Sequence, residues 1–356
     1  MVTFSSFGPA PRAGTVSLDN LIARGAAAGE TMTIQVTRVG RLNSEQVNSV
    51  LRSATLAPST HNTQPWLFRC TGTGIEVHAD PRRILPATDP DGREIVLSCG
   101  AALFTLRTAI HALGFHPATT LMPSRADPDL LAVVRPLAER TPDPKVVRLA
   151  RAIPRRRTNR RPFLSDLVPK TTLTALRHAT ELEHAWMSSL DAEQSRLLRD
   201  LTARARREQL ADPAFLAELG RWTGLGASSR DGVPSYATEG SPTDESWLLD
   251  EFGEVRDGTS PSPLVVVIAS LTDDRLDRLQ AGQALQRVLL TATCAGLDAS
   301  YISPPIMVRE ARAELRRLLG CGVWPQVLLR VGYGSPLPWT PRRPLEDMLL
   351  DTLISA

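Results

Sequence analysis

Five arginines stand within seven residues, Arg155, Arg156, Arg157, Arg160 and Arg161, in the stretch I-P-R-R-R-T-N-R-R-P-F from Ile153 to Phe163. Guanidinium groups this close repel one another unless water or an anion neutralises them, and a phosphate accepts paired N–H bonds from arginine well. From the residues alone, a phosphate site and a basic turn in solvent both stay open. Arg342 and Arg343 form a smaller pair near the C-terminus with the same two readings. A different chemistry sits in A-P-S-T-H-N-T-Q-P-W, Ala57 to Trp66. Ser59, Thr60, Asn62 and Gln64 supply hydroxyls and amides, which donate and accept without charge. That set suits a neutral polar ligand, such as a sugar-like chain or a heterocycle edge, or a turn whose side chains cap a helix end. His61 lies in the same loop without a nucleophile and carboxylate patterned around it. Asp89, Asp91 and Glu94 match no calcium spacing and read as turn and capping residues, so no metal site is expected. No G-x-G-x-x-G or P-loop is present to hold a dinucleotide on a Rossmann unit.

These residues need elements to position them. Val47, Val50, Leu51 and Ala54 recur on one face, predicting a helix over Asn43–Leu56 that Asn43 and Gln46 open as a capping box and Pro58 ends. The polar loop then leads into short strands at Leu67–Cys70 and Ile75–Ala79. A turn-rich segment, T-D-P-D-G-R-E, enters a helix over Ile95–Leu113 that stops at Gly114. A buried strand is expected at Leu130–Val134. Beyond T-P-D-P, Thr141–Pro144, a short helix precedes the arginine cluster. Further helices are expected at Thr171–Leu182, Arg204–Gly220, Ala281–Ala295 and Arg309–Leu319. The apolar run Leu264–Ala269 marks a strand buried on both faces, with others at Ser300–Ser303 and Gln326–Val331. Trp222–Pro263 is rich in Gly, Ser and Pro without a period, a length of loop that is usually functional or disordered.

Composition bounds the class. The chain has 356 residues, enough for two domains with sizeable cores, and 42% hydrophobic against 22% charged residues is ordinary for a soluble globular protein. Forty-one basic against 38 acidic residues leave +3, without the basic excess of a dedicated nucleic-acid binder. Only Lys145 and Lys170 are lysines, which reads chiefly as GC-rich coding. Cys70, Cys99, Cys294 and Cys321 lie far apart and form no C-x-x-C pair, so a reducing, cytoplasmic setting is expected. No apolar run reaches the roughly 18 residues of a membrane helix, and none of the first residues resembles a signal peptide. Residues 1–41 read as a loose tail, with Met32 an alternative start.

The chain also repeats itself. Leu51, Arg52 and Ala54 recur as Leu176, Arg177 and Ala179, each 125 residues later. Gly100, Ala102, Leu103, Gly114 and Pro123 recur as Gly282, Ala284, Leu285, Gly296 and Pro305, each 182 later. Ordered matches of this kind point to two related halves, 42–145 and 146–356. Trp66 and Trp186 are only 120 apart, so the second half lacks five residues where the first carries the polar loop. It gains 62 residues between Trp186 and Gly282, including an insertion at about 222–260. The arginine cluster has no first-half counterpart. Each half keeps one part of a site.

Four motifs in order, A-P-S-T-H-N-T-Q-P-W, T-D-P-D-G-R-E-I-V-L-S-C-G, I-P-R-R-R-T-N-R-R and T-P-R-R-P-L, resemble the actinobacterial Acg-type branch of the nitroreductase superfamily over about Leu42–Leu349. The resemblance implies an α+β nitroreductase fold: two fused halves forming an intrachain pseudo-dimer, with mixed sheets flanked by helices. In ordinary members two subunits share each FMN; here a single composite site per chain is implied. Arg156, Arg157 and Thr158 would hold the FMN phosphate, with Arg342 and Arg343 adding contacts. Arg160 would face the pyrimidine edge of the flavin. Pro58, Ser59, Thr60, Asn62 and Gln64 would line it from the other side. Ser303 and Pro304 fall where the family sets backbone groups near flavin N5, though its usual Glu-Gly is absent. The implied activity is NAD(P)H-dependent reduction of nitro compounds or quinones. The rival is storage or sequestration of FMN under a lid in which Trp222, Val233, Pro234 and Tyr236 cover the substrate side; a flavin-free scaffold is a third reading. A monomer is expected, since fusion replaces the usual partner.

Overall fold

The first helix, α1 (Ser44–Ala54), opens with the reciprocal cap its sequence predicts. Asn43 Oδ1 accepts from the Gln46 N–H at 2.9 Å, and Gln46 Oε1 accepts from the Asn43 N–H at 3.0 Å. The computed structural model describes residues 38–226, 228–237 and 264–350; most of the expected tail and the middle of the expected lid lie outside these. Within the stretch read as tail, Val39 is wholly buried and bridges Leu42.

Strands β1 (Trp66–Cys70) and β2 (Ile75–Ala79) precede helix α2 (Arg93–Ala112), and β3 (Phe115–Leu121) and β4 (Leu130–Glu139) follow it. They pair in the order β1-β2-β4-β3. Helices α3 (Pro144–Ala152) and α4 (Lys170–Glu181) lead to β5 (Trp186–Ser189), then α5 (Ala192–Ala211), α6 (Pro213–Trp222) and a two-stranded piece of β6 (Thr223–Leu225) and β7 (Val233–Pro234). Strand β8 (Leu264–Ser270), helix α7 (Arg275–Cys294), β9 (Asp298–Tyr301), the short α8 (Pro304–Met307), α9 (Arg309–Leu318) and β10 (Trp324–Gly332) complete the second sheet, ordered β5-β8-β10-β9. The two large sheets thus share one strand order.

Every ladder in them is antiparallel. Parallel pairing enters through single-residue bridges, Thr158 to Ala299 and Phe68 to Leu349. The second of these carries the C-terminal segment back to the first sheet. The Leu350 N–H donates to the Phe68 carbonyl at 2.8 Å, and Leu345 and Met348 are buried in the core around Trp66 and Phe68.

Helices α2 and α7 pack along one another at the centre. Gly100 and Gly282 meet there: a methyl added to either would stand 3.0 Å from the other's Cα. It would come closer still to the carbonyl of Leu279 in the first case and of Leu97 in the second. Leu97 and Leu279 are themselves 182 residues apart, so residue i meets j′ while j meets i′, the reciprocity of a two-fold contact. Helix α2 is also the one described helix long and apolar enough to cross a membrane by length and composition, yet 83% of its most apolar window is buried inside the protein.

Two departures from the sequence expectation have local causes. The helix expected over Arg204–Gly220 is two helices, because Pro213 cannot continue α5 and Asp212 caps α6, its carboxylate accepting the Ala214 N–H at 2.8 Å. Strand β3 carries no recognisable sequence signal, since Pro117 interrupts its register and its burial does not alternate cleanly.

Candidate functional site

After α1 the chain enters a tight polar loop held by its own hydroxyls. The Gln64 N–H donates to Ser59 Oγ at 2.9 Å, and Thr63 Oγ1 donates to the Thr60 carbonyl at 2.9 Å. Three of its non-glycine residues are left-handed, with φ of 48° at His61, 55° at Asn62 and 50° at Gln64. Strain of this kind persists only where surrounding contacts over-determine it, and it clusters at binding sites. Thr60 supplies one such contact, donating to Glu94 Oε2 at 2.7 Å at the start of α2. That start is fixed by Asp89, whose carboxylate accepts the N–H groups of Arg93, Glu94 and Ile95 at 2.8, 2.9 and 3.1 Å, the capping role its spacing predicts. Burial, with Glu94 close by, raises the Asp89 carboxyl to about 6.

The arginine cluster arrives from a different direction. Thr158 bridges Ala299 on β9, and Asn159 is anchored through its Nδ2 to Asp298 at 2.8 Å and to the Ser335 carbonyl at 3.0 Å. This pins Arg156, Arg157 and Arg160 beside the polar loop. Arg156 is only 7% exposed, and its Nε and that of Arg157 are buried without a hydrogen-bond partner. Burial lowers the pKa of Arg156, Arg157 and Arg160, with repulsion from Arg156 adding at Arg157. None of the three forms an ion pair among the described residues. Buried cations without counter-charge are costly unless an anion binds.

Two adjoining cavities result. The larger, about 260 Å³, is walled by apolar Leu97, Leu285, Ile302, Val327 and Leu328, with Ser59, Thr60, Ser303 and Pro304 on its rim. The smaller, about 40 Å³, is lined by Arg156, Arg157, Arg342, Asn62 and Trp339. Pro58, Ser59, Thr158 and Arg160 line both. A flat, apolar-faced ring carrying a phosphate on a polar chain fits this layout: apolar-walled chamber, hydroxyl-lined neck, and arginines without ion pairs among the described residues.

Not every expected residue faces the cavities. Gln64 is fully buried and lines neither. Its Nε2 donates to the Arg230 carbonyl at 2.9 Å and its Oε1 accepts the Arg343 N–H at 2.8 Å, so it ties three segments together. Asn62 lines the small cavity, but its Nδ2 is spent on the carbonyls of Gly232 at 2.9 Å and Pro341 at 3.1 Å. Arg343 also lies outside, with Nη2 on the Asp347 carbonyl and Nε 3.8 Å from Asp231. Arg342 lines the small cavity with its Nε and both terminal nitrogens engaged, on the carbonyls of Thr55, Leu56, Ala57, Thr340 and Pro341. Burial and then its arginine neighbours lower it to about 9, so it offers charge rather than a free donor. The residues expected to cover the substrate side do not line the large chamber. Val233 lines the small cavity, Tyr236 donates to the Trp339 carbonyl at 2.8 Å, and Trp222 lines a separate surface depression.

What the 62-residue gain between Trp186 and Gly282 brings to the large chamber is helix α5, through Thr202 and Arg206. His61, which sequence reading notes in the polar loop without assigning it a catalytic pattern, and Tyr301, which it passes over, also line this chamber. Burial, with Arg160 adding, lowers His61 to about 4, and its Nε2 has no partner. Burial raises Tyr301 to about 12, and its hydroxyl is likewise unpartnered. Lone residues on otherwise ordinary elements carry no local signal of such roles.

Sheets, helices and site together define an α+β protein with two sheets of one strand order and an apolar chamber joined to an arginine-lined cavity. No family model matches the chain. It is 38% identical over 328 residues to "Putative NAD(P)H nitroreductase Rv3131" of Mycobacterium tuberculosis H37Rv, covering 86% of this chain and 92% of that one. It is 32% identical over 327 residues to "Putative NAD(P)H nitroreductase acg" of the same organism, covering 86% and 96%. Among solved structures, the FMN-dependent nitroreductase NfnB from Mycobacterium smegmatis in complex with NADPH aligns at 16% identity and a TM-score of 0.37, over 58% of this chain and 98% of that one. The chain belongs to the Acg-type branch of the nitroreductase family.

Proposed function

We propose that the chain binds one FMN in the joined cavities and acts as an NAD(P)H-dependent oxidoreductase on nitro compounds or quinones. The observation that carries this is Arg156, buried, with Arg157 and Arg160, partly buried, forming no ion pair among the described residues and opening onto an apolar chamber through shared residues. FMN, when bound, supplies the redox chemistry, taking a hydride from NAD(P)H and passing electrons to an acceptor. The rest is the work of this chain. Arg156 and Arg157, with Thr158, hold the phosphate through charge-assisted bonds. Arg160 opposes negative charge on the ring edge from a desolvated position, where its field is strongest. Pro58, Ser59 and Thr60 would line the flavin opposite the arginines, and Ser303 and Pro304, on the same chamber, would bring backbone groups near N5. Leu97, Leu285 and Val327 exclude water.

The matched strand orders and the reciprocal glycine contact support two fused nitroreductase-like halves, 42–145 and 146–356, that make one composite site. Storage of FMN is the second reading. It is favoured by Val233, which lines the small cavity, and by the Gly232 carbonyl, which ties Asn62 of the polar loop to the same segment and would slow release. Anaerobic NADPH separates the two: rapid bleaching of the bound flavin is expected for the oxidoreductase, and bleaching only by dithionite would mark a store.

The binding reading itself is tested by Arg156→Ala with Arg157→Ala. Losing two charge-assisted contacts weakens FMN by about 100-fold or more while changing riboflavin affinity less than about threefold. Equal losses for both flavins, measured by fluorescence titration, would remove the phosphate assignment.

A further inference from the structure

Charge in the large chamber is unbalanced once the flavin is accounted for. Its lining includes Arg160, Arg206, His61 and a single carboxylate, Glu94. Glu94 is already committed, accepting from Thr60 Oγ1 on one oxygen and pairing with the buried Arg93 on the other. Arg160 is committed to the ring edge when FMN is bound. Arg206 remains. Among the described residues it makes no ion pair, while its neighbour on the outer face of α5, Arg204, pairs with Glu314 at 2.8 Å. Burial alone lowers its pKa. A partly buried guanidinium with no ion pair among the described residues, set beside apolar walls, is only partly screened by water, so an incoming oxyanion gains more from it than from an arginine in bulk water. His61, buried and neutral at pH 7, faces the same chamber with an unused Nε2 and adds a hydrogen bond without competing charge. Arg206 is supplied by the 62-residue gain in the second half, so it has no counterpart in the first.

We propose that the chamber accepts, against the flavin, a flat aromatic molecule bearing a carboxylate, and that Arg206 is the residue that selects for that group. The apolar walls formed by Ile302, Ile306 and Leu328 take the ring, and the guanidinium takes the carboxylate. This rests on the FMN reading only for the surface beneath the ring. The selection itself is a property of Arg206.

The test uses the full chain as purified, with the flavin-to-chain ratio of every preparation measured first. A ratio near zero after reconstitution would overturn the FMN reading independently of any acid preference. Calorimetric titration then compares 4-nitrobenzoate with its uncharged isostere 4-nitrobenzamide. The wild-type chain is expected to bind the acid about tenfold or more tightly than the amide, the scale of one charge-assisted pair. Arg206→Gln brings that ratio to near one while the amide affinity stays within about threefold, and Arg206→Lys keeps part of the preference. Equal binding of acid and amide by the wild type, or an acid preference that survives in Arg206→Gln, would overturn the proposal. So would a loss of NADPH affinity in Arg206→Gln with the acid preference intact, since the guanidinium would then serve the dinucleotide instead.

Discussion

At the scale of single residues, the site works by withholding partners. Arg156 is buried and Arg157 and Arg160 partly so, none with an ion pair among the described residues, and His61 has no partner on Nε2. His61 gives this a pH signature. Its folded pKa lies near 4, below the ordinary value of 6.5, so the unfolded chain binds the proton first. Its contribution to stability is therefore intact above pH 6.5 and lost as pH falls towards 4, by at most about 3 kcal/mol. Asp89, raised to about 6, tilts the other way, so the His61 effect is read as a difference between variants. Urea unfolding should show His61→Asn gaining on the wild type as pH drops from 6.5 to 4.5, asparagine also tolerating the left-handed backbone. A constant gap would mean that His61 is solvated. The arginine cluster was legible in the sequence because density alone demanded an anion or water. The roles of Arg342, Gln64 and Arg343 were not, because a side chain that satisfies backbone carbonyls reads the same as one that waits for a ligand.

At the scale of elements, the contact between α2 and α7 sets the chamber's depth. Leu97 and Leu285, one on each helix, wall it close to the glycine crossing. Glycine inside a helix ordinarily costs about 1 kcal/mol against alanine. At Gly100 and Gly282 the sign reverses, because a methyl on either strikes the opposing backbone. Gly100→Ala and Gly282→Ala are each expected to destabilise by roughly 3 kcal/mol in urea unfolding and to weaken FMN binding. Gly220, near the end of α6 with nothing within 4 Å of an added methyl, is the control, and alanine there should be neutral or mildly stabilising. Stable proteins with all three substitutions alike would mean that the helices do not approach this closely. The 182-residue offset exposed both glycines in the sequence, though not that they touch. Most helices were readable from caps and periodicity, but α5 begins at Ala192 behind an Asp191–Gln194 capping box, twelve residues before the expected start, and β3 and the break between α5 and α6 were settled by packing and by Pro213.

At the scale of the whole molecule, the C-terminal segment returns to the first sheet. The C-terminal stretch buries Leu345 and Met348 in the first core, and Trp66 Nε1 donates to Met348 Sδ at 3.2 Å. A chain ending at residue 340 should therefore lose the first half's packing and its FMN together, seen as a collapsed unfolding midpoint and a colourless protein. Retention of either would detach the C-terminal segment from the site. On the proposed reading, the two domains expected from length are two halves that depend on one another, with loop and arginines meeting once rather than twice. Flavin stoichiometry tests that most directly. The reconstituted full chain should carry one FMN per polypeptide, with absorbance of released flavin counted against amino-acid analysis. Two per chain, or none, would contradict the single composite site.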